Sequence, residues 1–218
     1  MLILDSTTMI KSVQLFIFLV FASTTSFAQS FEGIVKYKNT FKSKVPNVTD
    51  EQFSGMMGTS MEYLMKGSDY KTITNGNYLL WQLYISKDNK IYNKIANSPA
   101  ILWNDVTINT DEVLKAETNK NVVEILGYKC DELILTCKSG IQKYYYNAGL
   151  KLDAKLYENF KYQNWYEYLS RSNAVPLKMT IDNAQFYLES VATDVQKKNI
   201  DASVFILPPD AKLEKSPF

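Results

Sequence analysis

Histidine is absent from this chain of 218 residues. Its absence excludes Ser-His-Asp and Cys-His hydrolases, zinc enzymes with histidine ligands and every reaction that relies on a histidine general base. Glycine is also scarce, and its 8 residues are dispersed at turns, so there is no Gly-rich phosphate-binding loop. An excess of either charge is lacking too: 24 Lys+Arg balance 23 Asp+Glu, which argues against a nucleic-acid partner.

Apolar and aromatic residues are plentiful by comparison. The apolar share is 46%, and the chain contains 15 Tyr and 11 Phe, which is enough for a real core. No long repeat, charge block or low-complexity linker divides the chain. We therefore predict a single folded domain over residues 29–218.

The N-terminal region has the pattern of an export signal. Lys11 precedes an apolar run at residues 13–22 (VQLFIFLVFA), and Ser26 and Ala28 form a small-x-small cleavage site. A membrane span needs about 20 apolar residues, so this run predicts no membrane anchor. The pattern predicts a signal peptide over residues 1–28, cleaved after Ala28, and a soluble protein in the periplasm or outside the cell. The alternative is a buried N-terminal helix.

Most of the remaining chain has the pattern of antiparallel β-strands. Turn signals such as Asn75-Gly76-Asn77 and Ser139-Gly140 separate short apolar runs. This spacing favours a meandering sheet or barrel over βαβ units. The predicted strands are residues 31–38, 61–66, 70–74, 78–85, 90–95, 101–108, 113–118, 122–126, 128–138, 141–147, 177–181 and 184–195.

Helical signals interrupt the strands in two regions. Thr49 is a plausible N-cap for a short helix ending near Met57, with acidic residues in its first turn. Asp153 could cap a second helix through residue 160. A further segment at 163–170 carries Trp165 and Leu169 at helical spacing, and we expect a break before it.

The two cysteines are predicted not to form an intrachain disulfide. Cys130 and Cys137 belong to an exported chain, where disulfides are common. Yet the run CDELILTC is typical of one continuous strand, in which seven residues span about 23 Å. A disulfide needs Cα atoms within about 7 Å. Neither cysteine is in a Cys-x-x-Cys motif, so redox chemistry is not predicted either.

Acidic residues give no catalytic or metal-binding pattern. Asp111-Glu112 and Asp131-Glu132 are adjacent pairs, so in strands their side chains point to opposite faces. The segment 105–111 has scattered oxygen ligands but lacks the glycine and terminal glutamate of a calcium loop. We therefore predict no catalytic residue, no metal and no cofactor.

Methionine and tryptophan residues could line an apolar cavity between a curved sheet and covering helices. Methionine is flexible and polarizable, which suits irregular apolar sites. The other interpretation of the same residues is an ordinary filled core. The candidate cavity residues are Met56, Met57, Met61, Met65, Trp81, Trp103, Trp165 and Leu169.

Four short motifs occur in order along the chain: Phe31-Glu32-Gly33, Ile125 to Cys130 (ILGYKC), Pro176-Leu177-Lys178, and Phe205-Ile206-Leu207-Pro208. This layout resembles a family of exported bacterial envelope domains of unassigned function, containing GYKC. That family in turn is similar to the lipoprotein-carrier superfamily (LolA/LolB-like). The resemblance implies a curved, incompletely closed antiparallel half-barrel with helices over its concave face, and it implies no catalytic residues.

Two functions follow as hypotheses. The first is a soluble cell-envelope protein that binds a hydrophobic or lipid-like ligand without catalysis. The second is a non-catalytic structural or interaction protein of the envelope with a filled core, whose sheet edges meet its partners. An unrecognised enzyme is the remaining alternative.

Overall fold

The computed structural model describes residues 30–217, which contain one sheet of 12 strands. The predicted signal peptide and its cleavage site lie outside the described residues. The strands are β1 (Gly33–Ser43), β2 (Ser60–Lys66), β3 (Asp69–Thr74), β4 (Leu79–Ile85), β5 (Lys90–Ile95), β6 (Ile101–Asp105), β7 (Val113–Ile125), β8 (Tyr128–Cys137), β9 (Gly140–Lys151), β10 (Ala174–Asn183), β11 (Phe186–Lys197) and β12 (Leu213–Lys215).

Helices are few and short in the described part of the chain. Its two α-helices are α1 (Asp50–Met57) and α2 (Trp165–Ser172). Single 3₁₀ turns occupy Ser86–Asp88, Ala154–Tyr157, Tyr162–Asn164 and Ala202–Phe205.

The sheet is antiparallel except at one edge. Its order is β12-β6-β5-β4-β3-β2-β1-β11-β10-β9-β8-β7, and only the β12–β6 pair is parallel. Because β12 and β7 do not pair with each other, the sheet does not close into a barrel. The predicted fold class is confirmed: the molecule is mainly β, a curved, incompletely closed half-barrel with helices over its concave face.

The concave face carries the larger apolar layer. On β1, Val35 and Tyr37 are buried in it, while Tyr168 and Leu169 of α2 reach it from above. The tyrosine hydroxyl of Tyr37 donates to the carbonyl of Pro176 over 2.6 Å, which ties β1 to β10 across β11. The layer therefore links the centre of the sheet to the helical segment after β9.

A second apolar layer covers the convex face. Ile34, the neighbour of Val35 on β1, is buried there with Phe205 of the C-terminal segment (residues 200–215). Side chains of successive strand residues point to opposite faces, so β1 contributes to both layers. Among the β1 side chains on this face, Lys36, Lys38 and Lys42 are charged, and Ile34 is the apolar exception.

Helix α1 begins as its sequence predicts. Thr49 accepts a hydrogen bond from the backbone N–H of Gln52, and the Gln52 side chain accepts one from the backbone of Thr49, which together form a capping box. Phe53 of α1 lies 5.4 Å from the ring of Phe41 on β1 and 5.4 Å from that of Phe186 on β11. These contacts fix α1 over one side of the concave face.

Several predicted boundaries differ from the structure, and three of them are wrong for local reasons. Segments 113–118 and 122–126 are one strand, β7, with a register irregularity between Asn119 and Val123. The strand predicted over 101–108 ends at Asp105, whose carboxylate accepts from both the N–H and the hydroxyl of Thr107 and turns the chain. Asp153 does cap a helix, but the helix is a single 3₁₀ turn.

Candidate functional site

Strand register assigns a row of side chains to the concave face between α1 and α2. Asn39 on β1 is paired with Ser190 on β11, and Ser190 is paired with Met179 on β10. Met179 is in turn paired with Tyr144 on β9, a member of the concave layer. Directly opposed residues of neighbouring strands point to the same face, so this whole row faces the helices.

The row continues on the other side of β1. Tyr63 on β2, buried in the concave layer, is paired with Thr72 on β3, and Thr72 is paired with Gln82 on β4. The Gln82 amide donates to Asn93 of β5 over 2.7 Å. The concave surface thus combines apolar side chains with amide and hydroxyl groups. Some residues of this surface are half-buried: Met61, Gln82, Asn93, Met179, Ile181 and Leu188. Together with Asn39, Thr72 and Ser190 they form the set that we call the concave strip.

Four buried polar atoms of residues 30–217 have no hydrogen-bond partner: Asn39 Oδ1, Thr72 Oγ1, Trp165 Nε1 and Ser190 Oγ. The first, second and fourth belong to the concave strip, and Trp165 packs against the layer beside it. A buried donor or acceptor without a partner costs about 1–3 kcal/mol. All four of these atoms lie on one face of the sheet.

Trp165 is held over this face by aromatic rings. Its ring centroid lies 6.3 Å from Tyr63, 6.4 Å from Tyr70, 6.4 Å from Phe160 and 5.4 Å from Tyr168. These contacts anchor the start of α2 in the aromatic part of the concave layer. The unpartnered indole N–H is thus surrounded by apolar ring surface.

Asn164 sets the direction in which α2 leaves the preceding turn. Its backbone is left-handed, with φ 63°, and its side chain is fully buried. The side-chain oxygen accepts from Asn109 over 2.6 Å, and the amide nitrogen donates to Asp111 over 3.2 Å and to the Cys137 sulfur over 3.3 Å. This network ties α2 to the segment before β7.

Buried tyrosines keep the concave layer electrically neutral. Burial raises the pKa of Tyr63 and of Tyr70 well above the usual range, and neighbouring tyrosines add to the shift. Their hydroxyl groups therefore stay protonated at physiological pH and act as neutral hydrogen-bonding groups.

The cysteines are free, and both are buried. Burial, followed by the nearby Asp111 carboxylate, raises the pKa of the Cys137 thiol to about 11. Burial also raises the pKa of the Cys130 thiol. A thiol with a raised pKa is a poor nucleophile at neutral pH, so neither side chain is an active nucleophile here.

The predicted cavity residues divide between the two faces. Met61, Met65, Trp165 and Leu169 belong to the concave layer. Trp81 and Trp103 pack instead against the convex layer, where Lys71 and Lys90 lie over their rings at 5.1 and 4.1 Å.

One cavity shared by all these residues is therefore not formed, because the sheet itself separates the two groups. Met56 is exposed and Met57 is half-buried on α1. Asn39, Thr72 and Ser190 of the concave strip are not among the predicted cavity residues. Asn39 and Ser190 interrupt the period-two patterns of apolar residues at 35–41 and 188–192, and this interruption is the sequence signal for them.

Two open clefts lie elsewhere on the surface. One, of about 700 Å³, is lined by Phe31, Glu32, Leu150 and three exposed lysines, Lys151, Lys197 and Lys198. The other, of about 400 Å³, lies beside α2 and is lined mainly by polar side chains, including Glu167 and Arg171. Neither cleft is lined by a residue of the concave strip.

Within residues 30–217 no helix is long and apolar enough to cross a membrane. In the same part of the chain no group of three or more His, Cys, Asp or Glu side chains could hold a metal ion.

Comparisons with known proteins give similarity to solved structures alone. No family model matches the chain, and no curated protein matches it. A structure of PNGF-II shows 14% sequence identity and a TM-score of 0.47, with 86% of this chain and 32% of that chain covered. The crystal structure of the Mycobacterium tuberculosis lipoprotein LppX shows 8% identity and a TM-score of 0.33, covering 90% of this chain and 99% of that one. The chain thus spans about a third of the length of PNGF-II.

Proposed function

We propose that this protein is exported to the cell envelope and binds a hydrophobic, lipid-like ligand on the concave strip, without catalysing a reaction. The observation that carries the proposal is the placement of the buried unpartnered polar atoms Asn39 Oδ1, Thr72 Oγ1, Trp165 Nε1 and Ser190 Oγ on the concave side. The export step rests on the signal pattern at residues 11–28.

The ligand chemistry follows from the groups that are available. Half-buried Met61, Met179 and Leu188 offer apolar surface. The Trp165 indole N–H can only donate a hydrogen bond, whereas Asn39 Oδ1 can only accept one. A matching ligand has an apolar body, a hydroxyl or amide that donates, and an ester or carbonyl oxygen that accepts.

The competing function is an interaction protein whose concave layer is a finished core. In that case the four unpartnered atoms are merely tolerated, and removing one raises stability without any effect on a ligand. In the proposed function, the same removal weakens ligand binding as well. Substitutions at these positions therefore distinguish the two functions.

The first test is native mass spectrometry of the protein purified from the envelope or the secreted fraction of its host. We expect a co-purifying lipid, and we expect its addition back to the delipidated protein to raise the melting temperature. Absence of both a bound lipid and a lipid-dependent rise in melting temperature would refute the proposal.

The second test uses a fluorescent fatty acid as the probe, with Thr72→Val and Trp165→Phe as variants. Each removes one unpartnered polar group: Thr72→Val keeps the shape of the side chain, and Trp165→Phe keeps an aromatic ring but a smaller one. Loss of one hydrogen bond of about 1 kcal/mol reduces affinity roughly fivefold. Trp103→Phe is the matched control on the convex layer and should bind the probe as the unaltered protein does. Equal binding by all three variants would favour the filled-core function.

A further inference from the structure

Strand β7 is a long and open edge of the sheet. It has 13 residues, and all but its two terminal residues are exposed. It is the last strand in the sheet order, so among residues 30–217 only one of its two sides is paired, with β8. The opposite edge is β12, which has only 3 residues. An edge strand of this length presents a row of unpaired backbone N–H and C=O groups that can bind another strand.

The features that usually keep an edge strand from pairing with another chain are few in the first half of β7. Pairing of β7 with β8 is regular from Lys115 to Asn119, with no bulge inside that run. There is no proline in β7, and exposed Leu114 adds apolar surface. Lys115 is a typical protecting residue, but it forms an ion pair of 2.9 Å with Glu117, two residues further along the same strand.

Opposite charges flank Ala116 in this run. Lys115 precedes it and Glu117 follows it, and both side chains point to the same face of the strand. When a second copy of β7 is placed antiparallel with Ala116 opposite Ala116, each Lys115 faces the Glu117 of the other copy. The same register places Leu114 opposite Thr118. Parallel alignment in register would instead place lysine opposite lysine.

We propose that two copies of this chain associate through β7, paired antiparallel about a twofold axis at Ala116, to form one continuous sheet. A twofold contact of this kind is closed, because each copy uses the same edge. It pairs residues 113–119 of each copy, because Val113 then lies opposite Asn119, and leaves residues 120–125 of each β7 outside the contact. This inference is independent of the ligand-binding function, which concerns the concave face.

Charge reversal tests the register. Glu117→Lys places lysine opposite lysine twice across the axis, and Lys115→Glu does the same with glutamates. Like charges directly opposite are destabilising by up to about 1 kcal/mol per pair, so we expect the dimer dissociation constant to rise about tenfold or more in either single variant. The double variant K115E/E117K restores opposite charges and should return the constant to near its original value.

The measurement is sedimentation equilibrium of the purified protein over a wide concentration range, with circular dichroism to verify folding of each variant. A monomer at every concentration would overturn the proposal. A dimer that both single variants leave unchanged would overturn it equally, because the contact would then lie elsewhere.

Cross-linking provides a second measurement that does not depend on affinity. Directly opposed residues of antiparallel strands have Cα atoms about 4.5–5.5 Å apart, within disulfide range. Ala116→Cys should therefore give a covalent dimer on mild oxidation. In the matched control, Thr118→Cys, the two introduced sulfurs belong to positions about 14 Å apart along the strands, so no covalent dimer should form. Equal cross-linking of the two variants, or of neither, contradicts the register.

Discussion

Asn164 illustrates how much of the fold depends on single side chains. It combines a left-handed backbone with hydrogen bonds to Asn109, Asp111 and Cys137 inside the protein. Asparagine is one of the few residues that adopt this backbone readily. Alanine at this position has neither the preference for a left-handed backbone nor the polar contacts. The side chains of Asp111 and Asn109 would each lose one hydrogen-bond partner.

We therefore expect Asn164→Ala to lower the free energy of unfolding by about 2–3 kcal/mol, measured by urea denaturation. Gln163→Gly is the matched control, because Gln163 is also left-handed, with φ 52°, but exposed. Its unfolding free energy should stay within about 1 kcal/mol of the original. A cost for Asn164→Ala no larger than that of the control would show that the network contributes nothing.

The Cys137 thiol makes stability depend on alkaline pH. Burial and the Asp111 carboxylate raise its pKa from the usual 9.0 to about 11. Between these two values the unfolded chain loses the thiol proton while the folded chain keeps it, so the folded state binds more protons. Stability from this group is complete below pH 9.0 and falls as the pH rises toward 11.

Cys137→Ala removes this dependence. We expect the unfolding free energy of the unaltered protein to fall more steeply over that interval than that of the variant, by up to about 1.4 kcal/mol per pH unit. Buried tyrosines titrate in both proteins, so the difference between the two curves isolates the thiol. Parallel curves would mean that Cys137 titrates normally.

At the scale of elements, Trp165 is one of the side chains that bind the helical segment between β9 and β10 to the sheet. Four aromatic rings surround this side chain, and α2 buries Tyr168 and Leu169 beside it. We expect Trp165→Ala to lower the unfolding free energy by about 3 kcal/mol, as for other large side chains of a core.

The alternative is that α2 is a mobile lid over the ligand. Trp165→Ala would then cost little stability while still weakening uptake of the fluorescent fatty acid. Urea denaturation and probe titration of this one variant separate the two cases, and Trp103→Ala on the convex face is the control that should bind the probe normally.

Local sequence signals predicted most of these elements. The Thr49 capping box, the cap at Asp153 and the turn at Ser139-Gly140 act within a few residues of the chain, so they are legible without the fold. The motif ILGYKC also has a local role, since Leu126 and Gly127 have φ 51° and 79° in the tight turn between β7 and β8.

Other features depend on contacts distant in the sequence. Strand β12 pairs in parallel with β6, more than 100 positions earlier, and nothing in its own three residues requires that. Period-two alternation likewise shows that the Trp81 side chain lies on one face of its strand. It does not show that residues 200–215 cover that face. The prediction therefore grouped Trp81 and Trp103 with Met61, Met65, Trp165 and Leu169, whereas the structure packs these two tryptophans against the convex layer.

At the scale of the whole molecule, the C-terminal segment is fastened to the beginning of β1 and the end of β2. The Lys66 ammonium donates to Glu32 over 2.8 Å, to Asn199 over 2.6 Å and to the carbonyl of Ile200 over 2.7 Å. Glu32 also accepts from the backbone N–H of Ile200. The hydrogen bond from Lys66, with that from Ile200, holds the pKa of Glu32 below its usual value.

The lowered pKa of Glu32 fixes the direction of an acid effect. The stabilising contribution is present above the usual glutamate pKa of 4.5 and is lost as the pH falls through the lower folded value. In acidic solution Glu32→Gln and the unaltered protein should therefore be similarly stable. Between neutral and acidic solution the free energy of unfolding should change less for Glu32→Gln than for the unaltered protein. Thermal melting at a series of acidic pH values measures this difference, and identical pH profiles would contradict this role of Glu32.

Both apolar layers share one sheet, so they should unfold together. Trp165 reports on the concave layer, and Trp103 reports on the convex layer. In W81F/W103F the fluorescence comes from Trp165 alone, and in W81F/W165F it comes from Trp103 alone. β1 is buried on both sides, through Val35 in one layer and Ile34 in the other, so loss of either layer exposes the strand that supports the other one.

Each variant has its own stability, so each fluorescence transition is compared with the circular dichroism transition of the same protein. Coincidence in both variants is the mark of a single cooperative unit, whereas a Trp103 signal lost before the sheet melts would show that the C-terminal segment detaches independently.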